Sequence, residues 1–314
     1  MSTAVVPAPP SAVSEVPEKK RISAREKRQK IENAYAHIDL SRDTIDWAST
    51  IWIVGMHVGC LAAPFLFTWS GLIVAGVLHW ATMSLGICLA YHRYLSHRSL
   101  KLKAPAEAVV TFFGLISGEG PPLWWAATHR LHHQKSDQEG DPHSPNDGHG
   151  WSHILWLFKK REATDKQALY EMYASELLDR PVLRALQNYY VFWLLGTAAV
   201  LYAAGEFFFG AGLSWLVWGV CVRMVCGYHS TWFINSATHM WGYRNYETRD
   251  MSRNLWWAAI LSYGEGWHNN HHAHQADARA GHRWFELDPT YWSIKFLKLI
   301  GQAYDVKDTK VYSR

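Results

Sequence analysis

Three clusters of histidine carry the chemistry of this chain: His92 with His97, His129 with His132 and His133, and His268 with His271 and His272. If residues 268 to 272 are helical, spacings of three and four put all three imidazoles on one face. With His239 they make nine candidate ligands, more than the three or four that one tetrahedral zinc takes, so the count predicts two metals. Imidazole suits iron, copper, nickel and zinc, and the residue types alone do not choose among them. Thiolate ligation is not on offer. Cys60, Cys88, Cys221 and Cys226 all fall inside apolar runs, with no Cys-x-x-Cys pair, and read as reduced core or lipid-facing residues.

Ligands so far apart in the chain need a frame to bring them together. The mean hydropathy of -0.17 suggests a soluble protein, but the average hides long apolar runs that alternate with polar stretches. Trp47 to Trp69 is a run of roughly 23 residues without Lys, Arg, Asp or Glu, long enough to cross about 30 Å of hydrocarbon. A turn is expected at Ser70-Gly71, and Leu72 to Tyr91 then returns as a second span that delivers His92 to the starting side. A second hairpin is expected from spans at about 189–210 and 213–234. The fold class expected is thus an all-α integral membrane protein, with four transmembrane helices in two hairpins and a helical cap.

Basic residues set the orientation. No Lys or Arg occurs between Arg42 and Arg93 or between Arg184 and Arg223, which puts both termini and the cap on the cytoplasmic side. Arg223 is a charge inside the fourth run, either snorkelling or held by a buried partner. Residues 1–18 read as a disordered, proline-rich tail, 19–46 as a basic juxtamembrane segment, 47–300 as the membrane domain and 301–314 as a C-terminal tail. No signal peptide is visible, and nothing in the modest net charge of +4 points to nucleic acid. Between the hairpins, Ala104 to Ile116 is too short to span and reads as interfacial or re-entrant. Trp124 to His133 reads as a helix, Trp151 to Phe158 as an amphipathic segment, and Leu169 to Leu186 as one surface helix.

The patterns His92-x4-His97, His129-x2-His132-His133 and His268-x2-His271-His272 resemble the three histidine boxes of membrane fatty-acid desaturases. The flanks Arg98-Ser99, Asp141-Pro142-His143, Asn235-Ser236-Ala237-Thr238-His239 and Gly264-Glu265-Gly266 are similar to the delta-9 branch, which includes stearoyl-CoA and bacterial acyl-lipid enzymes. The likeness covers roughly residues 45 to 300. It implies that His92, His97, His129, His132, His133, His239, His268, His271 and His272 ligate two irons, with Asn235 acting through a water. It further implies O2 as co-substrate and a long-chain acyl substrate on CoA or a glycerolipid. A separate ferredoxin or cytochrome b5-type electron donor and a bacterial cell membrane complete the expectation.

Asp137, Asp141, Glu119 and Glu265 are candidates to orient the ligands, His143 and His153 are expected in supporting roles, and the remaining histidines are left structural. Arg93, Arg98, Arg130, Lys135 and Arg249 are candidates to dock an acidic carrier or a phosphate. Trp124, Trp125, Trp232, Trp256, Trp257 and Trp267 are candidate walls of an acyl channel, with Gly76 and Ala81 leaving room for its far end. Two rivals stand beside this reading. A hydroxylase would use the same metals and give an oxygenated product, and a histidine-rich metal transporter would need its ligands at the bilayer midplane.

Overall fold

A computed structural model describes residues 44–160 and 166–308, together with Ser23, Arg25, Glu26, Arg28, Gln29 and Ile31. The proposed tail 1–18 and most of the basic segment lie outside the described residues.

The Asp46 carboxylate accepts from Ser49 N at 3.1 Å and starts helix α1, Trp47–Cys60. The helix stops well short of Trp69. Pro64 lacks an amide hydrogen and its ring blocks the preceding turn, so the chain passes through turns from Leu61 to Leu66 instead of continuing the span. Ser70 and Gly71 do not form the expected turn either. Thr68 caps helix α2 by accepting from Gly71 N at 3.0 Å, and both residues lie in its first turn. Helix α2, Trp69–Ser96, runs 28 residues, with π-helical winding from Ala81 onward. It therefore carries His92 within its last turns rather than beyond its end. Such winding re-aims side chains and recurs at functional sites.

Helix α3, Ala104–Ile116, lies so close against α2 that a Cβ at Gly86 would stand 2.4 Å from Gly114 N. Only glycine fits there. Pro122 opens helix α4, Pro122–Lys135, at a position where its missing amide hydrogen costs nothing. A one-turn helix α5, His149–His153, and a 3-10 turn, Leu155–Phe158, follow. The single surface helix expected from Leu169 to Leu186 is two helices, α6, Lys166–Tyr173, and α7, Pro181–Asn188. A 3-10 turn at Ser175–Leu177 separates them, and Pro181 opens the second. Leu169 and Leu183 are fully buried, so the pair is part of the core.

Helix α8, Tyr190–Phe209, ends on Gly210, whose φ of 58° is the left-handed C-cap that favours glycine. Helix α9 then runs over residues 212–235, with a π-helical stretch at Val217–Val222. Arg223 does not snorkel from it. Its guanidinium is buried, donating to Gly219 O at 2.9 Å and to Ile116 O at 2.7 Å, so it caps the C-terminal carbonyl of α3. Short helices α10, Trp256–Leu261, and α11, His268–Ala273, precede the last helix, α12, Pro289–Leu299.

Two short antiparallel pairs interrupt the otherwise helical fold: β1, Thr44–Ile45, with β3, Lys159–Lys160, and β2, Lys101–Leu102, with β4, Ala303–Tyr304. The second pair, with Lys307 N donating to Ser99 O, ties residues 301–308 to the end of α2. Among the described residues, two helices are long and apolar enough to cross a membrane, α2 and α8. The main core joins α2, α4, α6 and α12, and a second joins α1, α3, α8 and α9.

Candidate metal centre

The fold gathers all nine histidines. Ligating nitrogens of His92, His97, His129, His133 and His271 lie within 4.8 Å of one another, and those of His132, His239, His268 and His272 form a second such group. Each box contributes through its helix. Helix α4 gives His129 and His133, one turn apart, to the first group, and His132, which points to the side, to the second. Helix α11 splits its ligands likewise, His271 to the first and His268 with His272 to the second. His239, in a 3-10 turn after α9, completes the second group.

The nitrogens converge on points rather than pairing off. Nε2 of His271 is 3.0 Å from that of His92 and 3.0 Å from that of His133, which is 2.9 Å from His129 Nε2. His97 Nε2 is 2.8 Å from His129 Nε2, and His268 Nε2 is 3.1 Å from His239 Nε2. The Nε2 of His272 is buried with no hydrogen-bond partner.

Four of the rings are held from behind by carboxylates. Nδ1 of His92 is 2.8 Å from Glu265, that of His132 2.9 Å from Asp141, that of His239 2.9 Å from Asp137 and that of His272 2.8 Å from Asp250. A carboxylate there accepts a hydrogen bond from Nδ1–H, which fixes the tautomer with Nε2 as a bare lone pair facing the group. This donor set fits two first-row metal ions: all-imidazole, convergent, oriented from outside, with one orphaned lone pair. Metal binding requires neutral imidazole, and burial favours that form at six of the ligands. Desolvation lowers His97, His129, His133, His268 and His271 well below the usual imidazole range, and lowers His272 to about 4. His132 is the exception, because burial, the largest single influence, is outweighed by the hydrogen bond and charge of Asp141 together with the charges of Asp137 and Asp250, which raise it.

Three of the four expected orienters thus sit behind ligands. Glu119 does not. Its carboxylate accepts from Trp125 Nε1 at 3.3 Å and from the Thr231 hydroxyl at 2.7 Å, and burial without a cation raises it to about 7. The fourth orienter, Asp250, belongs to no box or flank and gives no signal in the sequence. Also missed are the partners of the asparagines between the third-box ligands. Asn269 Oδ1 accepts from the amides of Asn245 and Tyr246, and Asn270 bonds Asn254, Ala280 O and Glu286, so α11 is locked on every side.

Arg93 is no docking residue. It is 2 % exposed, binding Glu265 at 3.0 Å, Asp288 at 2.9 Å and Ala278 O at 2.7 Å, and so braces the carboxylate that orients His92. Arg130 reaches Leu95 O, Ser96 O, Tyr173 O and Glu176, and Arg249 reaches the carbonyls of His133 and Gln134. These side chains brace the boxes too.

Of the six tryptophans, Trp125 alone meets box imidazoles, stacking on His129 with centroids 4.9 Å apart and meeting His92 edge-on at 6.2 Å. Trp124 stacks on Trp156, and Trp256 is exposed, so the six do not form one wall. Gly76 is exposed, and a Cβ there would meet nothing within 4 Å, so it lines no channel. His143 packs tilted against His132 with ring centroids 4.4 Å apart, whereas His153 lies in a separate chain of imidazoles with His229 and His57. Asn235 is the half-buried last residue of α9, and its side chain makes no hydrogen bond to the nine histidines.

The model of the fatty acid desaturase family matches residues 39–301. The chain is 40% identical over 269 residues to an sn-1 stearoyl-lipid 9-desaturase of Anabaena variabilis, covering 85% of this chain and 96% of that one. It is 42% identical over 266 residues to the acyl-CoA 5-desaturase AL21 of Anemone leveillei, 83% of this chain and 81% of that one. Against delta-9 acyl-lipid desaturase 1 of Arabidopsis thaliana the identity is 41% over 259 residues, 80% of each. With the histidine geometry and a match over most of its length, the chain belongs to the fatty acid desaturase family.

Proposed function

We propose that the chain inserts a cis double bond at the delta-9 position of a saturated long-chain acyl group, with two irons held by the nine histidines. The observation that carries this is the division of nine imidazoles, seven buried and two half-buried, into two adjoining groups, four of them backed by carboxylates. Bound iron supplies what side chains lack, the use of O2 to remove hydrogens from unactivated methylenes. The balance is one saturated chain, O2, two electrons and two protons giving one alkene and two waters.

The chain's own residues do the rest. Glu265, Asp141, Asp137 and Asp250 fix the ligand rings, and Arg93 fixes Glu265. Trp125, Glu119 and Thr231 form a hydrogen-bonded bridge from α4 to α9 beside the first group, which gives a wall of fixed shape against which one methylene pair can be held. Asn235, one turn ahead of His239, acts through a water. Helices α1, α2, α8 and α9 make four passes in two hairpins, with the centre and both termini on the cytoplasmic side of a bacterial membrane. The absence of Lys and Arg between Arg42 and Arg93 and between Arg184 and Arg223 supports that topology, with Arg223 the one buried exception. The acyl carrier is a membrane glycerolipid, in keeping with the acyl-lipid names of several relatives, and acyl-CoA is the second candidate. A ferredoxin or cytochrome b5-type protein brings the electrons.

The test is expression in a host lacking desaturases, with the double bond and the lipid pool that first acquires it located by mass spectrometry. A cis-9 alkene appearing first in glycerolipid supports the reading, and a hydroxylated chain would refute it.

A further inference from the structure

The last helix carries an apolar face that the protein leaves uncovered. Around α12, Thr290 and Ile294 point inward and are fully buried, while Trp292, Phe296 and Leu299 are 54%, 60% and 83% exposed on another face. Lys295 and Lys298 flank that face on one side. The turn before the helix adds Trp284, 91% exposed, and Leu287. Solitary exposed apolar residues are ordinary, but a contiguous aromatic patch edged by lysines marks an interaction surface.

We propose that α12, with the turn at residues 284–287, is embedded in the cytoplasmic leaflet of the bilayer, its apolar face among lipid chains and its lysines at the phosphates. This rests on the reading of α2 as a membrane span. One contact and one strand pairing place α12 along that span. The Thr290 hydroxyl lies 3.2 Å from that of Ser84, so α12 begins beside the middle of α2. At 1.5 Å per residue, Ser84 is about 22 Å from Trp69 at the outer end of α2. That is inside a hydrocarbon core of about 30 Å. The π-helical winding from Ala81 has a smaller rise and brings Ser84 no further out. At its other end α12 leads into β4, which pairs with β2 beyond the end of α2. The helix thus climbs from within the leaflet to its rim, running in the same direction as α2.

Depth then follows position. Trp292 lies deepest, Phe296 next and Leu299 nearest the surface, an order that neither a solvent-facing helix nor a protein-covered one would produce. Lysines on one flank of such a helix extend their ammonium groups to lipid phosphates while their stems stay apolar. A water-soluble partner fits poorly, because its binding face would have to enter the membrane beside Ser84.

The test uses the full chain in vesicles of phosphatidylcholine and phosphatidylglycerol. Cys60, Cys221 and Cys226 are replaced by alanine and the fully buried Cys88 is kept. Single nitroxides are placed at residues 292, 296, 298 and 299, and at Ile73 on the exposed side of α2. The expected result is high accessibility to O2 and low accessibility to a nickel chelate at 292 and 296. The depth order should be 292, 296, 299, with 298 open to the chelate. Equal chelate access at 292, 296 and 298 would overturn the proposal, as would dipolar broadening at 296 from a second copy. If Ile73 still reports lipid, that failure belongs to α12 alone; an aqueous Ile73 would overturn both this proposal and the span reading. A second variant avoids altering the cysteines: p-benzoylphenylalanine at Phe296 should photo-crosslink to phospholipid, and crosslinking to protein alone would overturn the proposal.

Discussion

Asp250 and His272, 22 residues apart in the chain, meet with Oδ2 2.8 Å from Nδ1, and this contact aims an otherwise orphaned Nε2 into the second group of histidines. The carboxylate is itself fixed by Ser252, through its amide at 3.1 Å and its hydroxyl at 2.5 Å. Burial would raise the Asp250 carboxyl, but the hydrogen bonds from His272 and Ser252 outweigh it and hold the group well below the usual carboxylate range. Removing such a partner costs about 10- to 100-fold in metal affinity. Asp250→Asn should therefore lose one metal per chain to a chelator at concentrations that leave the wild type loaded, as measured by elemental analysis. Retention equal to wild type would remove Asp250 from the centre.

Glu119 predicts a pH effect of defined sign. Burial raises its carboxyl from 4.5 to about 7, so between those values the unfolded chain gives up a proton that the folded chain keeps. Stability falls as pH rises through that window, by about 3 kcal/mol at most. Glu119→Gln retains an acceptor for Trp125 and a polar partner for Thr231 without the ionisation. The melting temperature of wild type should drop relative to Glu119→Gln between pH 5 and pH 8 in detergent. Parallel curves would show that Glu119 does not titrate there.

Two neighbouring arginines should behave oppositely. Arg93→Met leaves Glu265 and Asp288 buried without their cation, a loss of about 3–5 kcal/mol. Arg98 is exposed and pairs with Glu176 at the surface, and Arg98→Ala should cost less than about 1 kcal/mol. Thermal denaturation of the two variants separates them, and similar losses would contradict the bracing role of Arg93.

The exposed position of Gly76 makes the chain-length profile indifferent to it. Gly76→Trp should give the wild-type distribution of products on acyl chains of graded length. A shift toward shorter chains would put Gly76 on the channel after all.

The ligands were legible because box spacing is local: residues three and four apart share a helix face whatever the tertiary context. The apolar runs located α2, α3, α8 and α9 for the same reason. Pro64 and Pro181 were also readable as helix boundaries, but hydropathy counts composition and passes over them. What could not be read depends on contacts between distant segments. Nothing near Asp250 announces His272, and nothing in a box distinguishes Arg93, buried between two carboxylates, from Arg98, exposed five residues later. Asn269 and Asn270 look like spacers until their partners at residues 245, 254 and 286 are seen.

The central claim is that five and four imidazoles hold two irons. Its most direct test is the iron content of the purified, detergent-solubilised protein, set beside His271→Ala from the first group and His268→Ala from the second. The wild type should hold two irons per chain, and each variant should lose iron. A single metal per chain, or exchangeable zinc in place of iron, would contradict it.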